Sequence, residues 1–457
     1  MHIISLICII FAKKAFIMLI QFSVRNFKSF REKATLSLVA SGYDKTTREI
    51  ENVTSLSHST KELRLLKSAV IYGANASGKT KLVEALYFMK QFVRSSADEQ
   101  PNDKIKVEPF LLDTYSESES SEFEVIFIRD GIRYRYGFEI LPQLIVAEWL
   151  FKKEKDTEIE VFYRTQQEFE FHGRIPEFKI GRKVAKDQMV KSTTLWLTAA
   201  AKWNDDLSKI IIKWFQKLHI LSGLNDRSYM AYTLNQIKTG KMRGAITNFV
   251  RAASIGLEEI SIVNLGIEDL PDQLSNEIRE RIIQEIINEE GYLVEDIATY
   301  RRYDKNGNRV ANKDFKIDQH ESAGTRKYLA LSGPVLDVLA NGSILIVDEL
   351  DARLHPNLVC KIIELFNSKL HNPMSAQLIF NTHDTNLLNV GLLRRDQIWF
   401  TEKDRYGASI LYSLNDYSPR KNENLEKNYL QGNYGGIPYL GNFEQLIKST
   451  SSNENAE

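Results

Sequence analysis

The chain has 457 residues, of which 43% are apolar and only 10 are proline, enough to bury one or two substantial cores and too much for a disordered chain. Lysine and arginine number 60 against 60 aspartate and glutamate, so overall charge argues against a polybasic binder of nucleic acid or anionic membrane, and any basic groove has to be made by the fold. Two cysteines, Cys8 and Cys360, are too few and too far apart for a disulfide framework or a zinc site, which points to a reducing, cytoplasmic location.

In chain order, the first apolar run, 3–12, ends at Lys13-Lys14 and is too short to span a bilayer. It lacks both the preceding positive charge and the following cleavage site of a signal peptide, so no membrane contact is expected. The alternation Leu19-Ile20-Gln21-Phe22-Ser23-Val24 starts directly after Met18, which therefore reads as the true start, with 1–17 as an extension.

Residues 18–190 read as strands with one helix. Leu82, Ala85, Leu86, Met89, Phe92 and Val93 recur at helical spacing, and 121–140 reads as a hairpin turning at Asp130-Gly131. Residues 191–300 read as a helical insertion, with amphipathic helices over 205–218 and 275–290, the second stopped by Gly291. Strand and helix alternate again over 301–448, with apolar strands at 343–347, 377–380 and 397–400, and 449–457 is a polar tail expected to be disordered.

The chemistry begins at Ile71-Tyr72-Gly73-Ala74-Asn75-Ala76-Ser77-Gly78-Lys79-Thr80, a strand, then GxxxxGK[ST], then a helix. Gly73 and Gly78 let backbone N–H groups close around phosphates at a helix N-terminus, Lys79 reaches the β- and γ-phosphates, and Thr80 ligates Mg²⁺. The strand ending in Asp348-Glu349 delivers two acids to its carboxyl end. Asp348 is the expected Mg²⁺ ligand. Because neighbouring strand residues point to opposite sides, Glu349 is then expected to face and deprotonate the attacking water.

Glu321-Ser322-Ala323-Gly324-Thr325-Arg326 opens a helix 26 positions before Asp348 counted from Ser322, and His383 follows a strand 35 positions after it. Taken alone, Ser322 reads as a plain N-cap and His383 as a structural histidine. Together and in this order they resemble the ABC-type ATPases, in the branch that includes Rad50, SMC and RecF proteins. That resemblance implies that Ser322 and Gly324 contact the γ-phosphate held by a second subunit, that His383 senses the same phosphate in its own subunit, and that Asp351 lies in the loop crossing the dimer. Glu321 and Thr325-Arg326 depart from the transporter signature, and the 269 positions between Lys79 and Asp348 leave room for an inserted domain, so a transporter subunit is not expected.

Asn26-Phe27-Lys28-Ser29-Phe30, Glu321-Ser322 with Gly324-Thr325, Asp348-Glu349-Leu350-Asp351 with Leu354-His355-Pro356, Arg395-Asp396-Gln397-Ile398 and Tyr429-Leu430-Gln431-Gly432 with Tyr434-Gly435 resemble the bacterial AAA15-type (AAA_15/AAA_21) ATPases. These are related to RloA-like and abortive-infection ATPases and to the ATPase subunits of two-gene anti-phage systems. The fold implied is α/β: an ABC-type P-loop NTPase head with a mixed sheet, flanking helices, an antiparallel β-subdomain and a helical insertion. The resemblance implies an ATP- and Mg²⁺-dependent dimer, with Lys79, Ser322, Glu349 and His383 in the reaction, gating an operon-encoded nuclease or toxin in antiviral defence. Two alternatives stand beside it: a repair ATPase of the RecF kind acting directly on DNA, and a scaffold or sensor with little turnover. His355 and Asp396 read as structural residues, and Pro334 is expected to kink its helix.

Overall fold

The computed structural model describes residues 17–58, 61–98, 104–171, 175–253, 256–265, 280, 293–420 and 423–438. Cys8, the extension before Ile17, the expected helix at 275–290 apart from Glu280, its stop at Gly291 and the tail from 449 lie outside the described residues. Two compact units divide the chain. One comprises Leu19–Phe215 with the segment from Asn381 onward, and the other contains Gln216–Phe380.

In the first unit, the 3.6-residue period of apolar side chains behind the phosphate loop becomes the helix Lys79–Ser95, and all six periodic residues are buried. Burial of each large apolar side chain there is worth about 1.5–3 kcal/mol. The helix packs through Phe88 and Phe92 onto Phe27, Phe123 and Phe138, with ring centroids 5.0–5.5 Å apart. Phe123 and Phe138 lie on a seven-stranded sheet that runs spatially Glu168–Phe171, Glu158–Thr165, Leu144–Lys153, Ile132–Leu141, Ser121–Arg129, Ile17–Arg25, Ala34–Ser37. The expected hairpin forms with Asp130 and Gly131 both at positive φ, 54° and 77°, the pairing a two-residue type I′ turn requires. Separately, the strand Ser68–Gly73 pairs in parallel with Ile398–Lys403, which pairs antiparallel with Ser409–Ser413.

The second unit holds three parallel strands, Leu218–Ser222, Ile344–Asp348 and Gln377–Asn381. Ile344 to Val347 are buried throughout, the continuous apolar run of a strand covered on both faces. The helix Ala323–Asn341 runs on through the buried Pro334 and ends at Gly342 in the left-handed conformation, φ 61°.

The chain passes between the two units at Gln216 and again after Phe380. One part of the expected layout is corrected by the strands observed. Leu257–Leu265 and Leu293–Tyr303 are strands, forming with Arg309–Lys316 a three-stranded antiparallel sheet inside the stretch expected to be helical. The helices Asp206–Gln216, Arg227–Lys238 and Arg243–Arg251 precede them. Among the described residues no helix is long and apolar enough to cross a membrane.

Candidate nucleotide-binding site

The residues singled out by sequence fall into two groups, one in each unit. In the first, the buried strand Ser68–Gly73 leads into a loop whose crest, Asn75-Ala76, is exposed, while Ser77, Gly78 and Lys79 are buried beneath it. Ala76 sits at φ 61° and Gly78 at φ 116°, both in the positive-φ region, and between them the Ser77 N–H donates to the Ala74 carbonyl at 3.2 Å.

Glycine is required at both ends of the loop. A Cβ on Gly73 would run into the Thr401 carbonyl and the Ser77 hydroxyl, and one on Gly78 into the Ser409 side chain. The same neighbours brace the loop. Ser77 Oγ and Thr401 Oγ1 share a buried hydrogen bond of 2.7 Å, and Ser409 Oγ donates to the Ser77 carbonyl at 2.7 Å. Ser409 in turn bonds Ser29 through both side chain, 2.8 Å, and backbone, 2.6 Å. Lys79 Nζ lies across the loop, donating to the carbonyls of Gly73 (2.7 Å) and Ala74 (3.0 Å), and Thr80 is half-buried at the helix start. His383 is exposed one residue after Thr382, whose N–H donates to the Ile71 carbonyl at 3.3 Å; Tyr72 Oη donates to the Asp384 carbonyl at 3.0 Å. The turn carrying His383 is thus fastened to the strand that carries the phosphate loop.

In the second unit, the strand Ile344–Asp348 ends at Asp348, not at Glu349. Glu349 follows in the left-handed conformation, φ 55°, a strained position for a residue with a Cβ. Strand alternation therefore does not set its direction as the sequence reading assumed; the turn does. Gly223 donates its N–H to the Asp348 carbonyl at 2.6 Å, and a Cβ on Gly223 would overlap the Glu349 carbonyl. From the other side the fully buried Lys327 sends its ammonium to three carbonyls of the same turn, Glu349 (3.1 Å), Leu350 (3.1 Å) and Ala352 (2.6 Å). Burial pushes the Lys327 pKa down to about 8, with Asp351 acting in the opposite direction.

Lys327 belongs to the helix that Ser322 opens. Ser322 is the N-cap, accepting the Thr325 N–H at 3.1 Å, and with Ala323 it is exposed. Gly324 lies where a Cβ would come within 2.7 Å of the Arg353 carbonyl, so the helix start and the turn after Asp348 are packed together. The exposed N-terminus of a 19-residue helix, with a capping hydroxyl, is a surface that can accept an anion.

The sequence profile of the AAA_21 family, described as AAA domain, putative AbiEii toxin, Type IV TA system, matches residues 68–389. The chain belongs to this family. The strand, phosphate loop and helix just described are the P-loop NTPase core of that family. No curated protein matches the chain. Solved structures similar to it include an SMC head bound to the C-winged helix domain of ScpA, at 14% identity and TM-score 0.41 over 86% of this chain and 97% of that one. The SMC head domain from Thermotoga maritima is 12% identical with TM-score 0.37 over 86% and 98%, and the recombination mediator RecF is 13% identical with TM-score 0.36 over 88% and 99%.

Several residues of the AAA_21 site escaped the sequence reading. Thr401, Ser409, Gly223 and Lys327 carry no motif, and their roles come from contacts made across many intervening residues. Ser29 was in view within Phe27-Lys28-Ser29-Phe30, but nothing local ties it to the phosphate loop. Other motif residues are structural. His355 caps the helix Pro356–Phe366 through Nδ1, which accepts the Asn357 N–H at 3.2 Å. Asp396 accepts both arms of the buried Arg394 guanidinium at 2.9 Å. Tyr429 and Tyr434 stack on Phe400 at 5.3 and 6.0 Å, so the Tyr-Leu-Gln-Gly-Asn-Tyr-Gly stretch is an aromatic clasp, with Asn433 exposed.

Proposed function

We propose that the protein binds and hydrolyses ATP with Mg²⁺ in a head-to-tail dimer, and that the ATP state of the dimer controls an operon-encoded nuclease or toxin in anti-phage defence in the cytoplasm. The observation that carries the nucleotide reading is the phosphate loop, whose two glycines admit no Cβ and whose shape is braced by Ser29, Ser77, Thr401 and Ser409. A loop braced in this way at the start of a helix is suited to present backbone N–H groups to a phosphate.

In the proposed reaction the N–H groups of Gly73 to Thr80 hold the phosphates. Lys79 leaves the Gly73 and Ala74 carbonyls for the β- and γ-phosphate oxygens. Thr80 and Asp348 would hold Mg²⁺, which when bound supplies positive charge to those oxygens. Glu349, fixed in its turn by Gly223 and Lys327, accepts the proton of the water that attacks the γ-phosphorus as the bond to the β-phosphate oxygen breaks and ADP leaves. Ser322 and Gly324 of the second copy stabilise the charge of the same γ-phosphate, and His383 reports its presence. The exposure of Ser322 and Ala323 supports their use by another copy.

Glu349→Gln is expected to bind ATP and accumulate as dimer without turnover; turnover at the wild-type rate removes Glu349 from the reaction. The defence reading is tested by phage plating on cells that carry the native locus with its flanking genes. Protection by the wild type that Lys79→Ala abolishes is the expected result, and absence of protection in both strains over a broad phage panel defeats that reading while leaving the ATPase intact.

A further inference from the structure

We propose that the hairpin formed by Leu293–Tyr303 and Arg309–Lys316 is a docking ribbon for double-stranded DNA, gripping its phosphate backbone. Every residue from Arg301 to Asp314 is exposed. The ribbon is nevertheless regular: its strands keep register from Ile297↔Lys316 to Arg302↔Ala311, a shift follows before Tyr303↔Arg309, and Asp304 closes the turn through its carboxylate, which accepts the N–H groups of Asn306 (2.9 Å) and Asn308 (2.8 Å). Gly307 at φ 82° completes it. Beyond Tyr300, where the pairing with Leu257–Leu265 ends, the sheet narrows to two strands whose side chains are exposed, so the tip gains no stability from burial. Its length and shape call for a use in binding.

Charge identifies the partner. Arg301, Arg302, Lys305, Arg309 and Lys313 stand in this stretch against Asp304 and Asp314, in a chain whose overall charge is zero. Asp304 is engaged in its own turn, and Asp314 accepts the Thr299 hydroxyl at 2.6 Å. Register divides the cations between two faces. Arg301 and Arg309 share the face on which Glu258 pairs with both. Arg302 and Lys313 lie on the other face, diagonal to one another across the pairs Arg302↔Ala311 and Tyr300↔Lys313, and Lys305 projects from the turn. Among the described residues no carboxylate forms an ion pair with Arg302, Lys305 or Lys313.

Arg302 and Lys313 are diagonal neighbours on one exposed face, and a polyanion lying over them would relieve what repulsion they share. The exposed Tyr303 (50%) and Val310 (58%) give the ribbon apolar contact surface as well. A two-stranded antiparallel ribbon has the width to lie along a duplex groove, with its cations reaching phosphates on either side. An acidic protein segment offers similar charge without that regular spacing.

The proposal does not rest on the ATPase reading, and its test uses the full chain. Binding of a fluorescent duplex of mixed sequence is measured by anisotropy over a salt series for the wild type and for Arg302→Ala/Lys305→Ala/Lys313→Ala. ATP turnover and thermal unfolding of the triple variant, which lies outside the nucleotide machinery, are expected to match the wild type. The expected result is salt-dependent wild-type binding, with the slope of log K against log salt smaller by about 2–3 in the triple variant and affinity at least tenfold weaker at low salt. A charge-reversed variant, Arg302→Glu/Lys313→Glu, should lose binding altogether. Absence of wild-type binding, or equal slopes for wild type and triple variant, overturns the proposal. Displacement of DNA by poly-glutamate at lower charge concentration than by unlabelled duplex also overturns it, in favour of an acidic protein partner.

Discussion

Replacing Lys327 by methionine keeps an unbranched side chain one atom shorter and removes its three donors. In the native turn those donors go to the carbonyls of Glu349, Leu350 and Ala352 at 2.6–3.1 Å, around a residue held at φ 55°. A hydrogen bond to a charged group contributes about 1.5–3 kcal/mol, and the three are not additive, so loss of about 3 kcal/mol of support for this turn is a reasonable scale. The depressed Lys327 pKa shows that burying its charge is itself unfavourable, and methionine removes that term. The two effects oppose one another in global stability, whereas only the first acts on the orientation of Glu349. The expected outcome is therefore a fall in kcat on the order of 100-fold, with KM for ATP within about threefold and the melting temperature little changed. Steady-state turnover measured beside a thermal melt provides all three quantities. Retention of kcat within about threefold, or a KM that rises as far as kcat falls, would refute the argument that Lys327 sets the geometry of this turn.

The same lysine predicts a pH effect: above about 8 it loses a proton and one of its donors, so wild-type kcat should decline there and the decline should be missing from Lys327→Met. Because the folded value lies below the ordinary 10.5, the unfolded chain binds more protons between these values, and the contribution of Lys327 to stability improves as pH rises through that window. A urea midpoint that falls in parallel with kcat would assign the decline to unfolding instead. Gly78→Ala should abolish ATP binding, since its Cβ meets Ser409, whereas Gly131→Ala, also at positive φ but with open space around it, should keep ATP affinity and lose about 1–2 kcal/mol of stability; equal ATP affinities, measured by calorimetry, would contradict this. Gly223→Ala should displace the Glu349 carbonyl and reduce turnover at least tenfold while ATP still binds; wild-type turnover would show that the turn tolerates the shift. Arg394→Met leaves the buried Asp396 without its cation, while Glu49 keeps its pairing with Arg64, and should lower unfolding free energy by about 3–5 kcal/mol; a loss below about 1 kcal/mol in urea titrations would rule out a structural role for the Arg394–Asp396 pair.

The parts of this protein that sequence displays are those whose cause is local. The period of Leu82 to Val93, the Asp130-Gly131 turn and the apolar run before Asp348 each contain the reason for their own conformation, and each appears where expected. The strand Leu257–Leu265 was hidden because its core residues, Leu257 and Ile260, are spaced by a register irregularity at Leu257/Glu259 that breaks strict alternation. Leu218–Ser222 was hidden because it follows an amphipathic helix with only one intervening residue, Lys217, and continues its apolar pattern. In the site, the phosphate loop and the two acids are legible because their chemistry demands a fixed local order. Lys327, Gly223, Thr401 and Ser409 act through carbonyls and hydroxyls distant in sequence, and nothing in their immediate neighbours signals it. Glu349 shows the limit from the other side, since its identity was readable while its left-handed backbone was not.

The central claim, that each ATP is hydrolysed by the phosphate loop of one copy and the Ser322 helix of another, is tested most directly by mixing two inactive variants. Lys79→Ala lacks a working phosphate loop and Ser322→Arg blocks the anion-facing helix start. In a mixed head-to-tail dimer, one site combines both lesions and the other has neither. ATP turnover that is absent from each variant alone and returns on mixing, in proportion to the mixed dimer formed, is the predicted result. Turnover that stays absent while mass measurement shows the mixed dimer, or a Ser322→Arg variant that is fully active by itself, would contradict the account.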